Sequence, residues 1–194
     1  MINYAGGIEL KKIFITNGSG TAGKDSFVTA VGKYVPVYKY SSIDLVKDML
    51  ETAGVQRVPK TEEKRRLYSN IKDILTEYDD IPFKDVTAAV MDFKNESMDA
   101  DVMFIDIREP NEIARAAKDF GAKTILIRNP NASKIESNHA DRDVENYDYD
   151  YIIENDGTLE QLEKLAKLFA LRIINDGIEP YPGIKPYTFV CSEY

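Results

Sequence analysis

Apolar positions along the chain follow two rhythms. Short, nearly continuous apolar runs bounded by turn formers or charges occur at residues 12–17, 35–40, 102–106, 124–127 and 151–153, a pattern that predicts five buried strands. Between them the apolar residues return at helical spacing. In residues 24–34 they are Phe27, Val28, Val31 and Tyr34, and in residues 61–78 they are Leu67, Ile71, Ile74 and Leu75. Further helices are predicted over residues 42–53, stopped by Gly54, over 83–98, over 110–120 with Pro110 in the first turn, and over 158–174, where Thr158 and Gln161 are spaced as a capping box. Strands that alternate with helices and lack a polar face predict an α/β fold of three layers, with a parallel five-stranded sheet between two helical layers. Two stretches break the rhythm, residues 129–150 and the tail 176–194. A structureless insertion of about 20 residues in a compact domain predicts a lid over a site.

At 194 residues the chain predicts one domain, with 41–98 as a helical region inserted before the third strand. Its net charge of -8 disfavours polymeric nucleic acid but not a small phosphorylated ligand, which needs only a few converging cations. The single cysteine, Cys191, has no internal disulfide partner, and neither a leader-like N-terminal run nor a membrane-length apolar stretch is present. The expected compartment is the cytoplasm, with no membrane partner. A homodimer is compatible with the sequence.

The candidate chemistry begins where the first strand ends. Gly18, Ser19, Gly20, Thr21, Ala22, Gly23 and Lys24 form G-x-x-x-x-G-K between a predicted strand and a predicted helix, the context the phosphate-binding loop requires. Its glycines let successive N–H groups turn inward on phosphate oxygens, the helix adds its positive end, and Lys24 reaches toward the β- and γ-phosphates of ATP. The usual hydroxyl after the lysine is replaced by Asp25, and a hydroxyl follows one place later at Ser26. Asp25 suits Mg²⁺, a hard cation, and suits equally the first turn of a helix. Asp106, after four apolar residues, has the position of an acid that holds magnesium through water at a strand's carboxyl end; capping the next helix is the alternative.

These residues resemble a family. Gly23-Lys24-Asp25-Ser26 is similar to the loop variant of the phage and bacterial deoxynucleoside monophosphate kinases, members of the nucleoside-monophosphate-kinase fold group of P-loop NTPases. The resemblance continues in order through residues 41–47 (Ser-Ser-Ile-Asp-Leu-Val-Lys), 106–112 (Asp-Ile-Arg-Glu-Pro-Asn-Glu) and 155–158 (Asn-Asp-Gly-Thr). It implies an ATP-dependent, Mg²⁺-requiring kinase for a nucleoside monophosphate. Ser42, Asp44 and Lys47 would lie in the acceptor segment and Arg108 would bind the acceptor phosphate. Asp44 with Lys47, and Arg108 with Glu109 or Glu112, also have the spacing of plain ion pairs.

A transfer between two anions needs cations, because each unit-charge pair at 4 Å repels by roughly 4 kcal/mol at an effective dielectric of 20. Of eight arginines, five fall where that demand lies: Arg65 and Arg66 on the charged helix, Arg108 past a strand end, and Arg128 and Arg142 bracketing the lid. Arg65 and Arg66 are about 100° apart on a helix, so one of them at most faces the site. His139 lies in the lid and is not assigned a catalytic role. The acidic and aromatic run 145–151 is expected to be a solvated loop edge. Other kinases of small metabolites, and a nucleotide-binding protein without transfer chemistry, are the competing readings.

Overall fold

The computed structural model describes residues 11–59, 61–95, 99–132, 144–175 and 186–190. Among them, six strands form one parallel sheet in the order β2-β3-β1-β4-β5-β6: β1 Lys12–Asn17, β2 Val37–Ser41, β3 Val102–Asp106, β4 Lys123–Arg128, β5 Tyr151–Glu154 and β6 Tyr187–Phe189. The helices are α1 Lys24–Val31, α2 Asp44–Thr52, α3 Glu62–Asp79, α4 Ile81–Lys94, α5 Pro110–Phe120 and α6 Leu159–Phe169.

Alternation along β1 sorts the core into two layers. Phe14 faces α1, α6 and the aromatic cluster of Tyr151, Phe169 and Phe189, while Ile13 and Ile15 face α4 and α5 through Phe83, Phe93, Ile113 and Phe120. Both sheet faces are thus dry, which explains the lack of a polar rhythm in the central strands.

The sheet has six strands, one more than the five expected. The sixth, β6, comes from the tail and pairs with β5 in register Tyr151↔Tyr187 to Ile153↔Phe189. Its short apolar-aromatic run Tyr187-Thr188-Phe189 is anchored by Phe189, which packs edge-on against Phe169 at 5.8 Å. The helix expected over 158–174 is α-helical only to Phe169, after which residues Ala170–Asn175 wind as a π-helical turn. The wider turn presents carbonyls to β1: Lys12 Nζ donates to Ile173 O at 2.9 Å and to Ile174 O. The capping box at Thr158 and Gln161 forms as the spacing predicts. α4 starts two residues early, with Pro82 in its first turn, and ends at Lys94 rather than residue 98. No helix of the described residues is long and apolar enough to cross a membrane.

Candidate functional site

The carboxyl ends of β1, β3, β4 and β5 lie side by side, so Asn17, Asp106, Arg128 and Glu154 come to one edge of the sheet, where α/β sheets form their clefts. The glycine loop crosses this edge. A Cβ on Gly18 would come within 2.7 Å of the Ile127 carbonyl oxygen, so only glycine lets the loop leave β1 against β4. Gly23 has φ 93° and Thr21 φ 69°, so the chain enters the left-handed region twice before α1 starts. The Gly18 N–H donates to Asn17 Oδ1 at 2.8 Å and the Ala22 N–H to Ser19 O at 3.1 Å. Among the described residues, no group accepts from the backbone N–H of Ser19, Gly20, Thr21, Gly23 or Lys24. Unpaired loop donors beside a helix N-terminus are the donor set that polyphosphate oxygens match.

Two asparagines hold the loop in place. Asn155, 8% exposed, donates from Nδ2 to Ala22 O at 2.8 Å, and its own N–H donates to Arg128 O at 2.7 Å. Asn17, 1% exposed, donates from Nδ2 to Arg108 O at 3.1 Å and to Tyr149 Oη at 2.8 Å. Tyr149 Oη in turn donates to Val144 O at 2.8 Å. Burial, ahead of its neighbours' charges, pushes the Tyr149 hydroxyl well above the usual tyrosine range, so it stays a protonated donor. The run 145–151 is therefore not simply a solvated edge: Tyr149 and Tyr151 are buried, because their rings fill the two core layers.

Charge concentrates around Asp106. Its Oδ2 lies 2.5 Å from Lys24 Nζ and 3.5 Å from Lys39 Nζ, and Thr16 Oγ1 donates to Oδ1 at 2.5 Å. Lys39 also pairs with Asp25. Burial pulls Lys24 below the ordinary lysine value, with Asp106 opposing it. Burial also weighs on Lys39, but the Asp106 charge and the Asp25 hydrogen bond outweigh it and Lys39 is raised. Asp106 and Asp25 are thus both held by lysines, and among the described residues no group of three or more His, Cys, Asp or Glu side chains is placed to hold a metal ion.

The remaining predicted residues fall into distinct settings. Ser26 is exposed on α1. Ser42 is buried and its N–H donates to Asp106 O at 3.1 Å, so the segment after β2 abuts the end of β3. Asp44 and Lys47 make the i, i+3 ion pair at 2.7 Å. Arg65 is half-buried while Arg66 is exposed. Arg108 follows β3 half-buried, and Glu109 and Glu112, expected as its alternative partners, each pair with Lys72, at 2.8 Å and 2.7 Å. Arg128 grips Glu154 of the neighbouring strand, with Nε 2.9 and 3.1 Å from the two carboxylate oxygens and a further bond from its terminal nitrogen. The expectation of a lid cation thus meets a guanidinium fixed across β4 and β5, because register places Arg128 directly beside Glu154. Arg142 and His139, with residues 133–143 of the lid expected over 129–150, lie outside the described residues, as does Cys191.

Sequence reasoning passed over Lys39, Lys72, Asn17 and Thr16. Lys39 carried a signal, a lone charge within Val-Tyr-Lys-Tyr-Ser, and Lys72 another, a cation one turn-pair beyond Arg65 on the inner face of α3. Lys72 is 5% exposed. Burial works to lower it, yet Glu109 and Glu112 together hold it above 10.5. For Glu109 burial is likewise outweighed by Lys72 and the carboxyl is lowered, whereas Glu112 is raised by burial and by the Glu109 charge.

A parallel sheet, a strand–glycine loop–helix unit and a lysine at the helix start define the class: an α/β protein of the P-loop NTPase type. No protein-family model matches the chain, and no curated protein matches it. Among solved structures, a crystal structure of a LAO/AO transport system kinase is similar over 92% of this chain and 52% of its own, at 14% identity and a TM-score of 0.34. The chain thus spans about half the length of that structure.

Proposed function

We propose that this protein is an ATP-dependent phosphotransferase that converts a nucleoside or deoxynucleoside monophosphate to the diphosphate. The observation that carries the proposal is the loop itself: the amides of Ser19, Gly20, Thr21, Gly23 and Lys24, without an acceptor among the described residues, in a loop locked by Asn17 and Asn155, with the Lys24 ammonium beside Asp106. Such a cradle suits the β- and γ-phosphates of a nucleoside triphosphate.

In this scheme the loop amides and Lys24 take the donor's phosphates, and Arg108, beyond β3, takes the acceptor's phosphate. An acceptor phosphate oxygen forms the new bond to the γ-phosphorus while the bond to the β–γ bridging oxygen breaks and ADP departs. The attacking oxygen is ionised at neutral pH, so no protein base has to remove a proton. Asp106 and Asp25 would hold Mg²⁺, which supplies further neutralisation of the phosphate charge when bound. Ser42, Asp44, Lys47 and Arg65 would serve the acceptor and Arg142 would bring positive charge from the lid, while the charge of Arg128 is met by Glu154. Catalysis of this kind is positioning and charge neutralisation, and the lysines beside Asp106 support that reading.

The test is incubation with Mg-ATP and each common ribo- and deoxyribonucleoside monophosphate, watching for diphosphate. New diphosphate from one or more acceptors, abolished in a folded Lys24→Ala variant, is the expected result. ATP binding with no acceptor-stimulated ADP release would overturn it, as would substantial transfer by Lys24→Ala.

A further inference from the structure

The glycine loop carries a charge that such loops ordinarily lack. Asp25 stands where a hydroxyl is usual, on the first turn of α1, beside the place a polyphosphate would dock. An added carboxylate so close to an anionic ligand repels it unless a cation cancels the charge. Lys39 reaches over from β2, the edge strand, and pairs with Asp25 while keeping 3.5 Å from Asp106. Four charged groups result, Lys24 and Lys39 against Asp25 and Asp106, and they sum to zero. Without Asp25 and Lys39 the sum is also zero. The two residues therefore enter the site as a neutral couple.

We propose that Lys39 is a positioning residue of the nucleotide site whose task is to cancel Asp25, so that the loop accepts a polyphosphate despite the extra carboxylate. This rests on the reading of the loop as a polyphosphate site. An ordinary surface ion pair would make a different prediction, since Asp25 and Lys39 are 64% and 37% exposed and such pairs contribute little to stability. Folding should tolerate removal of either residue, and the effect should appear in ligand binding alone.

The experiment is calorimetric titration of the full chain with ADP, with excess Mg²⁺ and again in a chelator, for the unaltered protein, Lys39→Met, Lys39→Arg, Asp25→Asn and the double variant Asp25→Asn/Lys39→Met. Lys39→Met should weaken ADP binding about tenfold, more in chelator than in Mg²⁺, while unfolding in denaturant stays unchanged. Lys39→Arg should bind as the unaltered chain does. In the Asp25→Asn background the Lys39→Met loss should shrink to within about twofold, because the carboxylate that is left, Asp106, is already paired with Lys24. Equal loss in both backgrounds, or no loss in either, would overturn the assignment while leaving the loop's role intact. If the unaltered chain bound neither ADP nor ATP, the polyphosphate reading itself would fall, and this inference with it.

Discussion

Asn155 and Ala22 are 133 positions apart in sequence, yet the Asn155 side-chain amide donates to the Ala22 carbonyl at 2.8 Å inside the glycine loop. The bond is buried and fixes the peptide just before the turn into α1. Asn155→Ala leaves that carbonyl without its partner and should cost about 2 kcal/mol in chemical denaturation, with weaker ADP binding measured in parallel. Retention of both stability and affinity would show that the loop holds its shape unaided.

Gly23 answers to the same amide. A Cβ there would lie 2.4 Å from Asn155 Nδ2, and its φ of 93° strains any side-chain-bearing residue. Gly23→Ala should therefore push Asn155 off Ala22 and lose about 3 kcal/mol, the strain and the lost bond together. In an Asn155→Ala background the clash is gone and only the backbone strain is left. The combined loss should thus be smaller than the sum of the two single losses, a difference that a double-mutant cycle by denaturation measures.

Lys72 binds α3 to the start of α5 through two carboxylates. Lys72→Met leaves Glu109 and Glu112 facing each other in a poorly solvated place and should destabilise by about 3 kcal/mol, with much of the loss returned when both glutamates are changed to Gln. Because Glu109 and Glu112 hold Lys72 above 10.5, its contribution is complete below pH 10.5 and disappears as pH rises through the higher folded value. The stability gap between the unaltered chain and Lys72→Met should accordingly be flat through neutral and mildly alkaline pH and close above pH 10.5. A gap that closes below pH 9 would contradict the assignment.

Tyr149 matters through Asn17. Tyr149→Phe removes the hydroxyl that accepts from Asn17 and donates to Val144 O, and should cost about 1 kcal/mol of stability. Asn17→Ala removes in addition the acceptor for the Gly18 N–H, so it should impair ADP affinity more than Tyr149→Phe does. Parallel titrations of the two variants decide the order.

The layers were legible because central strands buried on both faces leave runs such as Val102-Met103-Phe104-Ile105, and helices over them leave stripes of period 3.6. The loop was legible because its chemistry demands glycines and a lysine at fixed spacing. β6 escaped notice since three residues carry almost no periodicity, and its pairing with β5 depends on Phe189 finding Phe169. The π-helical turn escaped because its sequence suits an α-helix equally, and the Lys12 bonds that accompany it lie more than 160 positions away. The partners of Arg128, Lys72 and Lys39 escaped for one shared reason. Ion pairs across strands and helices are decided by register and packing, which no local pattern encodes.

The glycine loop leaves a strand at the middle of the sheet, flanked by β3 and β4, which are both made after it, and its latch at Asn155 comes later still. A growing chain therefore carries the loop's sequence before either of its neighbouring strands has been made, and completes the loop only once Asn155 has followed. On the proposed function, ligand capture would be a property of the finished sheet, and a nucleotide present during refolding should speed no early step but should shield the last one from reversal.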